Sequence, residues 1–136
     1  RNSDLVVTAT AARSPIVTVD WLHPGLHITA VGADMGNKNE LAPEVLAEAD
    51  VYVADSRKQC RWSGELTHAI GAGLINESDR IPEFGEVVAG KHPGRSDDEE
   101  ITVADLTGTG VQDAAVAAHA VKRAIAMGMG TKVSNG

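Results

Sequence analysis

The sequence predicts an α/β fold built on a parallel sheet. Three observations carry that prediction. Short apolar runs alternate along the chain with segments of helical periodicity. The runs are continuously apolar rather than alternating polar and apolar, the pattern of strands covered on both faces. Aromatic residues are few, while Ala, Val and Gly are many, which suits a sheet lined with small and β-branched side chains.

Taken in order, "DLVVTAT" (4–10) reads as a short buried strand ending in hydroxyl residues. Residues 19–22 read as one helical turn, closed by the tight turn His23-Pro24-Gly25. "LHITAV" (26–31) is a second strand, and the loop Gly32 to Glu40 follows it. "APEVLAEAD" (42–50) reads as a short helix with Pro43 in its first turn and Leu46 and Ala47 facing inward. "VYVAD" (51–55) is a third strand. Residues 56–75 are helical, with Ser56 as N-cap, Leu66, Ala69 and Ile70 inward, and Gly64 as a point of division. "IPEFGEVVAG" (81–90) is a short helix stopped by Gly90. "KHPGRSDDEE" (91–100) is an exposed turn-rich loop, and "ITVADL" (101–106) is a fourth strand. After "TGTG", a long helix spans 111–127, with an apolar stripe of Val111, Ala114, Ala115, Ala118, Val121 and Ile125. Residues 128–136 read as a loose tail.

Composition excludes several functions. A net charge of -7 argues against a general nucleic-acid role. No run approaches the ~18 apolar residues that a membrane span needs. The lone Cys60 cannot form an internal disulfide and fits a reducing, cytoplasmic setting as a passive residue. The histidines at 23, 27, 68, 92 and 119 show no metal-ligand spacing, so no metal is expected. The opening "RNSDLVVTAT" without a Met suggests a piece of a longer protein, and four strands make a small sheet.

In open α/β sheets, ligands bind beyond the carboxyl ends of the strands. The four predicted strand ends carry Thr8 and Thr10, the loop Gly32 to Glu40, Asp55 with Ser56, and Asp105 to Gly110. In the second of these, Gly32 and Gly36 permit close backbone approach to a ligand around Asp34. That carboxylate can accept a proton or stabilise a cationic substrate, and Lys38 can meet an anion. The other reading is an Asx-turn at Asp34 with a solvated Lys38. "TGTG" either presents amides to an anion at a helix N-terminus or is a plain flexible turn.

"DLVVTAT", "VGADMGNKNEL" and "GKHPGRSDDEEITVADLTGTGVQDAAVA" resemble, in order, the C-terminal half of the ornithine cyclodeaminase/mu-crystallin family. The middle block, V-G-x-D-x-x-x-K-x-E-L, is the most specific. "WLHPGLHITAVGADMGNKNEL" with "GELTHAI" looks closest to the ectoine-utilisation branch. The resemblance implies that residues 1–110 form the second half of a Rossmann-like NAD(P) domain. Residues 111–136 would return to a dimerisation and substrate domain of a homodimer. It implies a cyclodeaminase or an imine or amino-acid dehydrogenase, using NAD or NADP on a small amino acid or cyclic imine. A non-catalytic crystallin-like binding protein on the same scaffold is the alternative.

By the same resemblance Asp34 is the catalytic aspartate and Lys38 lies near the cofactor. Thr8, Thr10, Ala30, Val31, Leu106 and Thr107 line the cofactor site, and Thr107 also approaches substrate. Two departures bear on substrate. "D-L-T-G" stands where the family carries "D-S-V-G", so any hydroxyl contact at Leu106 is either lost or shifted to Thr107. "D-M-G-N-K" replaces "D-x-P-G-K", which points away from ornithine. The G-x-G-x-x-G/A turn and the family's carboxylate-holding Arg and Lys are not in this sequence, so the chain by itself is expected to be inactive.

Overall fold

A computed structural model describes residues 3–131 and 133. The remainder of the expected tail, residues 132 and 134–136, lies outside the described residues. The elements are β1 (Leu5–Thr8), β2 (Arg13–Val17), a 3-10 turn (Val19–Trp21), β3 (His27–Ala30), β4 (Asn39–Leu41), α1 (Pro43–Glu48), β5 (Val51–Ala54), α2 (Arg57–Ser63), α3 (Glu65–Gly71), α4 (Phe84–Val88), β6 (Thr102–Asp105) and α5 (Gly110–Ala126). The four predicted strands form one sheet in the order β1-β3-β6-β5. All its pairings are parallel. The fold is α/β and Rossmann-like, with helices flanking the parallel sheet and a long C-terminal helix.

The register does most to place the site. Thr8, Ala30, Asp105 and Ala54 pair across the sheet as one row. The four strands therefore end level, and their following loops open along one edge.

One face of the sheet carries the core. Ile28, Ala30, Tyr52, Ala54 and Val103 pack against Leu46, Cys60, Leu66 and Ala69 of the helices. Burying each large aliphatic side chain contributes roughly 1.5–3 kcal/mol. Local signals behave as expected at several points. Ser56 caps α2 by accepting from the Gln59 amide, Pro43 opens α1, and Gly64 divides α2 from α3. A Cβ on Gly64 would stand 2.6 Å from Asp105 Oδ2, so the division is also a close packing point.

Three expectations need correction. First, the face of the sheet away from α1–α3 is covered only in part: Thr102, Ala104 and Val53 on it are buried, while Leu5 and Val7 of the edge strand β1 are 60% and 61% exposed. Second, α1 turns Val45 and Leu46 inward, and Ala47 is exposed. Third, two more strands exist, β2 and β4, paired in parallel as a separate small sheet. Pro15 inside β2 and the polar start of β4 hide them from a reading by hydropathy. The stripe of α5 is exposed, with Val111 at 73%, Val121 at 58% and Ile125 at 71%.

Candidate active site at the strand ends

The loop after β3 is tied at both ends. At its start, the Val31 amide donates to the Thr8 carbonyl at 2.8 Å. At its far end, the Asn39 amide donates to the Ala12 carbonyl at 2.9 Å as β4 joins β2. Between them, Lys38 N bonds the Met35 carbonyl in a tight turn at 2.9 Å. Helix α3 supports the outgoing leg: His68 Nε2 lies 2.7 Å from the Lys38 carbonyl oxygen.

Asp34 sits at the exposed tip of this loop. Its carboxylate accepts a 2.6 Å charge-assisted bond from Lys38 Nζ. That bond holds the Asp34 carboxyl below the usual carboxylate range. Lys38 is the more buried partner, with 23% of its side chain exposed against 51% for Asp34.

Glu40, which sequence reasoning did not single out, organises what lies beneath. It is fully buried. One oxygen, Oε2, accepts from Thr8 Oγ1 at 2.6 Å and from the Gly32 amide at 2.8 Å. The other, Oε1, accepts from the Thr10 amide at 2.6 Å. Burial alone would raise its carboxyl, but these donors outweigh burial and hold it below its ordinary value. Gly32 is glycine for this reason, since a Cβ would collide with the Glu40 carboxylate. The close approach that the sequence suggested for a ligand is taken up by a side chain of the protein itself. The only signal for Glu40 in the sequence is its place in the D-x-x-x-K-x-E-L block.

Behind Glu40 stands a second buried acid. Glu65 is 1% exposed. It accepts from the Glu40 amide at 2.7 Å and from Asn39 Nδ2 at 2.7 Å. Burial pushes its carboxyl up to about 7. Asp105, at the end of β6, is a third. It accepts from Tyr52 Oη at 2.8 Å and the Leu66 amide at 3.2 Å. Burial pushes it up to about 6, and its Oδ1 has no protein partner.

The "TGTG" turn is already occupied. Asp55 Oδ2 accepts the amides of Thr107 and Gly108 at 2.9 and 3.0 Å, and Oδ1 accepts Thr107 Oγ1 at 2.9 Å. These amides are committed to a carboxylate of the protein, so an anion would have to displace Asp55. Thr107 can offer a ligand lone pairs, while its hydroxyl proton points to Asp55. Cys60 is buried, and burial together with Asp105 and Asp55 pushes its thiol up, so it is no nucleophile.

The sequence-derived site residues therefore fall into two sets. Thr8 and Ala30 are buried supports. Thr10, Val31, Asp34 and Lys38 reach the open edge, and just after β6 Leu106 is half-buried while Thr107 is as buried as Thr8. Among the described residues, no group of three or more His, Cys, Asp or Glu is placed to hold a metal ion.

This geometry can be set beside known proteins. Residues 1–127 match the model of the ornithine cyclodeaminase/mu-crystallin family. The chain belongs to that family. A putative dehydrogenase of Rhizobium meliloti is 50% identical over 129 residues, which is 95% of this chain and 39% of the relative. An archaeal alanine dehydrogenase, solved as a dimer with bound NAD, superposes with a TM-score of 0.86 at 40% identity, over 96% of this chain and 41% of its own. The Thermococcus litoralis Δ1-pyrroline-2-carboxylate reductase, solved with NADH and L-proline, gives 0.88 at 34% identity, over 97% and 41%. The chain thus spans about two fifths of the length of these relatives.

Proposed function

We propose that this chain is the nicotinamide-facing part of an NAD(P)-dependent enzyme that interconverts a small amino acid and its imine. One observation carries the reading most: Asp34 and Lys38 form an ion pair at the tip of a braced loop, at the open edge where four parallel strands end level. The similarity to enzymes solved with NAD or NADH supports the cofactor.

The residues present fit one end of such a cofactor. The half-exposed Val31 and Leu106 offer an apolar wall, the small Ala30 ends the central strand, and the exposed Thr10 retains a hydroxyl proton to donate. Thr8 does not share that role, because its hydroxyl is spent on Glu40. No pyrophosphate turn lies in the chain, and the amides nearest to one are held by Asp55. We therefore assign residues 1–110 to the second half of a cofactor domain. Residues 111–136 then reach the domain that completes a homodimer, which agrees with the exposed apolar stripe on α5.

A nicotinamide, when bound, supplies or accepts the hydride at the substrate's α-carbon. The chain's own part is electrostatic. Asp34, ionised and held low by Lys38, pairs with the cationic nitrogen of an amino acid or iminium and orients it. Lys38 keeps that carboxylate from taking the proton permanently. Thr107 Oγ1 accepts from a substrate N–H, its own proton being fixed on Asp55.

Two assays test this. The complete protein should oxidise NADH or NADPH in the presence of small cyclic imines, or of 2-oxo acids with ammonia, and should run in reverse on the amino acids. Ammonia release from ornithine without net change in NADH would instead mark a cyclodeaminase of the same family. Residues 1–136 alone should show no tight binding of NAD or NADP by calorimetry, and micromolar binding would contradict the division proposed here.

A further inference from the structure

We infer that Glu40 is the positioning residue of this site, fixing through the Thr10 and Gly32 amides and the Thr8 hydroxyl the strand ends that present Thr10, Val31 and Asp34. The inference rests on the functional reading above. It concerns a residue that touches neither cofactor nor substrate.

The donors and acceptors around Glu40 decide what can stand there. Two of the three partners are backbone N–H groups, which can only donate. The group between them must therefore accept on both oxygens, and only a carboxylate does so. The third partner, Thr8 Oγ1, turns its proton to the same group. Each bond ties a different piece of the site: the end of β1, the chain just after it, and the first residue of the Asp34 loop. Glu40 is itself immobilised from behind, because its own amide donates to Glu65 Oε1 and its strand β4 pairs with β2. Its charge is thus spent on two backbone amides and one hydroxyl of the strand ends the site stands on.

Glutamine tests this at constant shape. In either orientation of its amide, an NH2 group would face Thr10 N–H or Gly32 N–H, so one strand end loses its acceptor. The first measurement is amide hydrogen exchange by NMR on the complete protein without cofactor. In the wild type, the Thr10 amide should be protected although Thr10 itself is exposed. In Glu40→Gln, exchange at Thr10 or Gly32 should rise about tenfold or more. The resonances of 33–38 should move, while Val53 and Ala104 in the sheet stay protected. A wild-type Thr10 amide that exchanges as a free peptide overturns the inference, even if the variant fails to fold. Unchanged exchange at both amides in a folded variant overturns it as well.

The second measurement is steady-state kinetics of the complete protein below its unfolding midpoint. A positioning role lowers kcat of Glu40→Gln about tenfold or more. Lowered melting with unchanged kcat would leave Glu40 a purely structural acid and refute the assignment. If the wild type shows no NAD(P)-linked turnover, the functional reading fails, while the exchange result still decides whether Glu40 holds the strand ends.

Discussion

At the scale of single residues, the site is governed by which hydrogens are already spent. Thr8 gives its proton to Glu40 and Thr107 gives its own to Asp55. Two hydroxyls that the sequence places beside a ligand are thus supports before they are contacts. Gly32 shows the same economy, since its missing Cβ is what lets the Glu40 carboxylate reach the loop. Gly32→Ala should therefore cost about 1–3 kcal/mol of stability, the usual penalty of overpacking. Urea unfolding checks it, and an unchanged midpoint would mean that both the Glu40 carboxylate and the Thr10 carbonyl, which such a Cβ would also meet, can move aside. Thr8→Val keeps the shape and removes one donor to a charged acceptor, and should cost about 1.5–3 kcal/mol by the same measurement. Much of this layer was legible in the sequence as candidates. Asp34, Lys38 and Thr107 stand at strand ends because strands, loops and their order can be read from hydropathy. Glu40 and Glu65 were not legible in that way, because a charged side chain in a polar segment gives no sign of being buried. Only the long-range pairing of β4 with β2, and the packing of α3 behind it, put them inside.

At the scale of elements, α3 acts as a brace for the site loop. It reaches the outgoing leg through Glu65 on the Glu40 amide and Asn39, and through His68 on the Lys38 carbonyl. The brace carries a pH dependence. Glu65 rises from an ordinary 4.5 to about 7 in the fold, and Asp105 from 3.8 to about 6, both through burial. Between its two values each group binds more proton folded than unfolded, so stability falls as pH rises through that window. Each contributes at most on the order of 1.4 kcal/mol per pH unit. Glu40 works in the opposite sense, and its contribution fades only as pH drops below its ordinary 4.5. The thermal midpoint should therefore fall from pH 5 to pH 7.5, and Glu65→Gln should flatten most of the upper part of that slope. A wild-type midpoint that is level across the range would contradict the burial assigned to Glu65. The elements that hydropathy missed, β2 and β4, are the ones that make this brace. Each is short, polar or broken by proline, and each is stabilised by partners distant in sequence.

At the scale of the whole molecule, the described structure leaves two apolar surfaces open. One is the edge strand β1 with Leu5 and Val7, and the other is the length of α5. An exposed parallel edge with large apolar side chains is a template for pairing. Residues 1–136 in isolation should therefore self-associate. Light scattering would show it, and Val7→Lys should weaken it. A clean monomer would mean that these surfaces are covered in some other way. The stripe on α5 was visible in the sequence as periodicity, but periodicity names a face and not what covers it.

The central claim is that the exposed Asp34 of a braced loop does the chemistry of an NAD(P)-dependent enzyme. Turnover of Asp34→Asn in the complete protein, measured together with its cofactor affinity, tests it most directly. The expected result is a loss of about 100-fold or more in kcat with cofactor binding nearly unchanged. A variant that turns over like the wild type would contradict it.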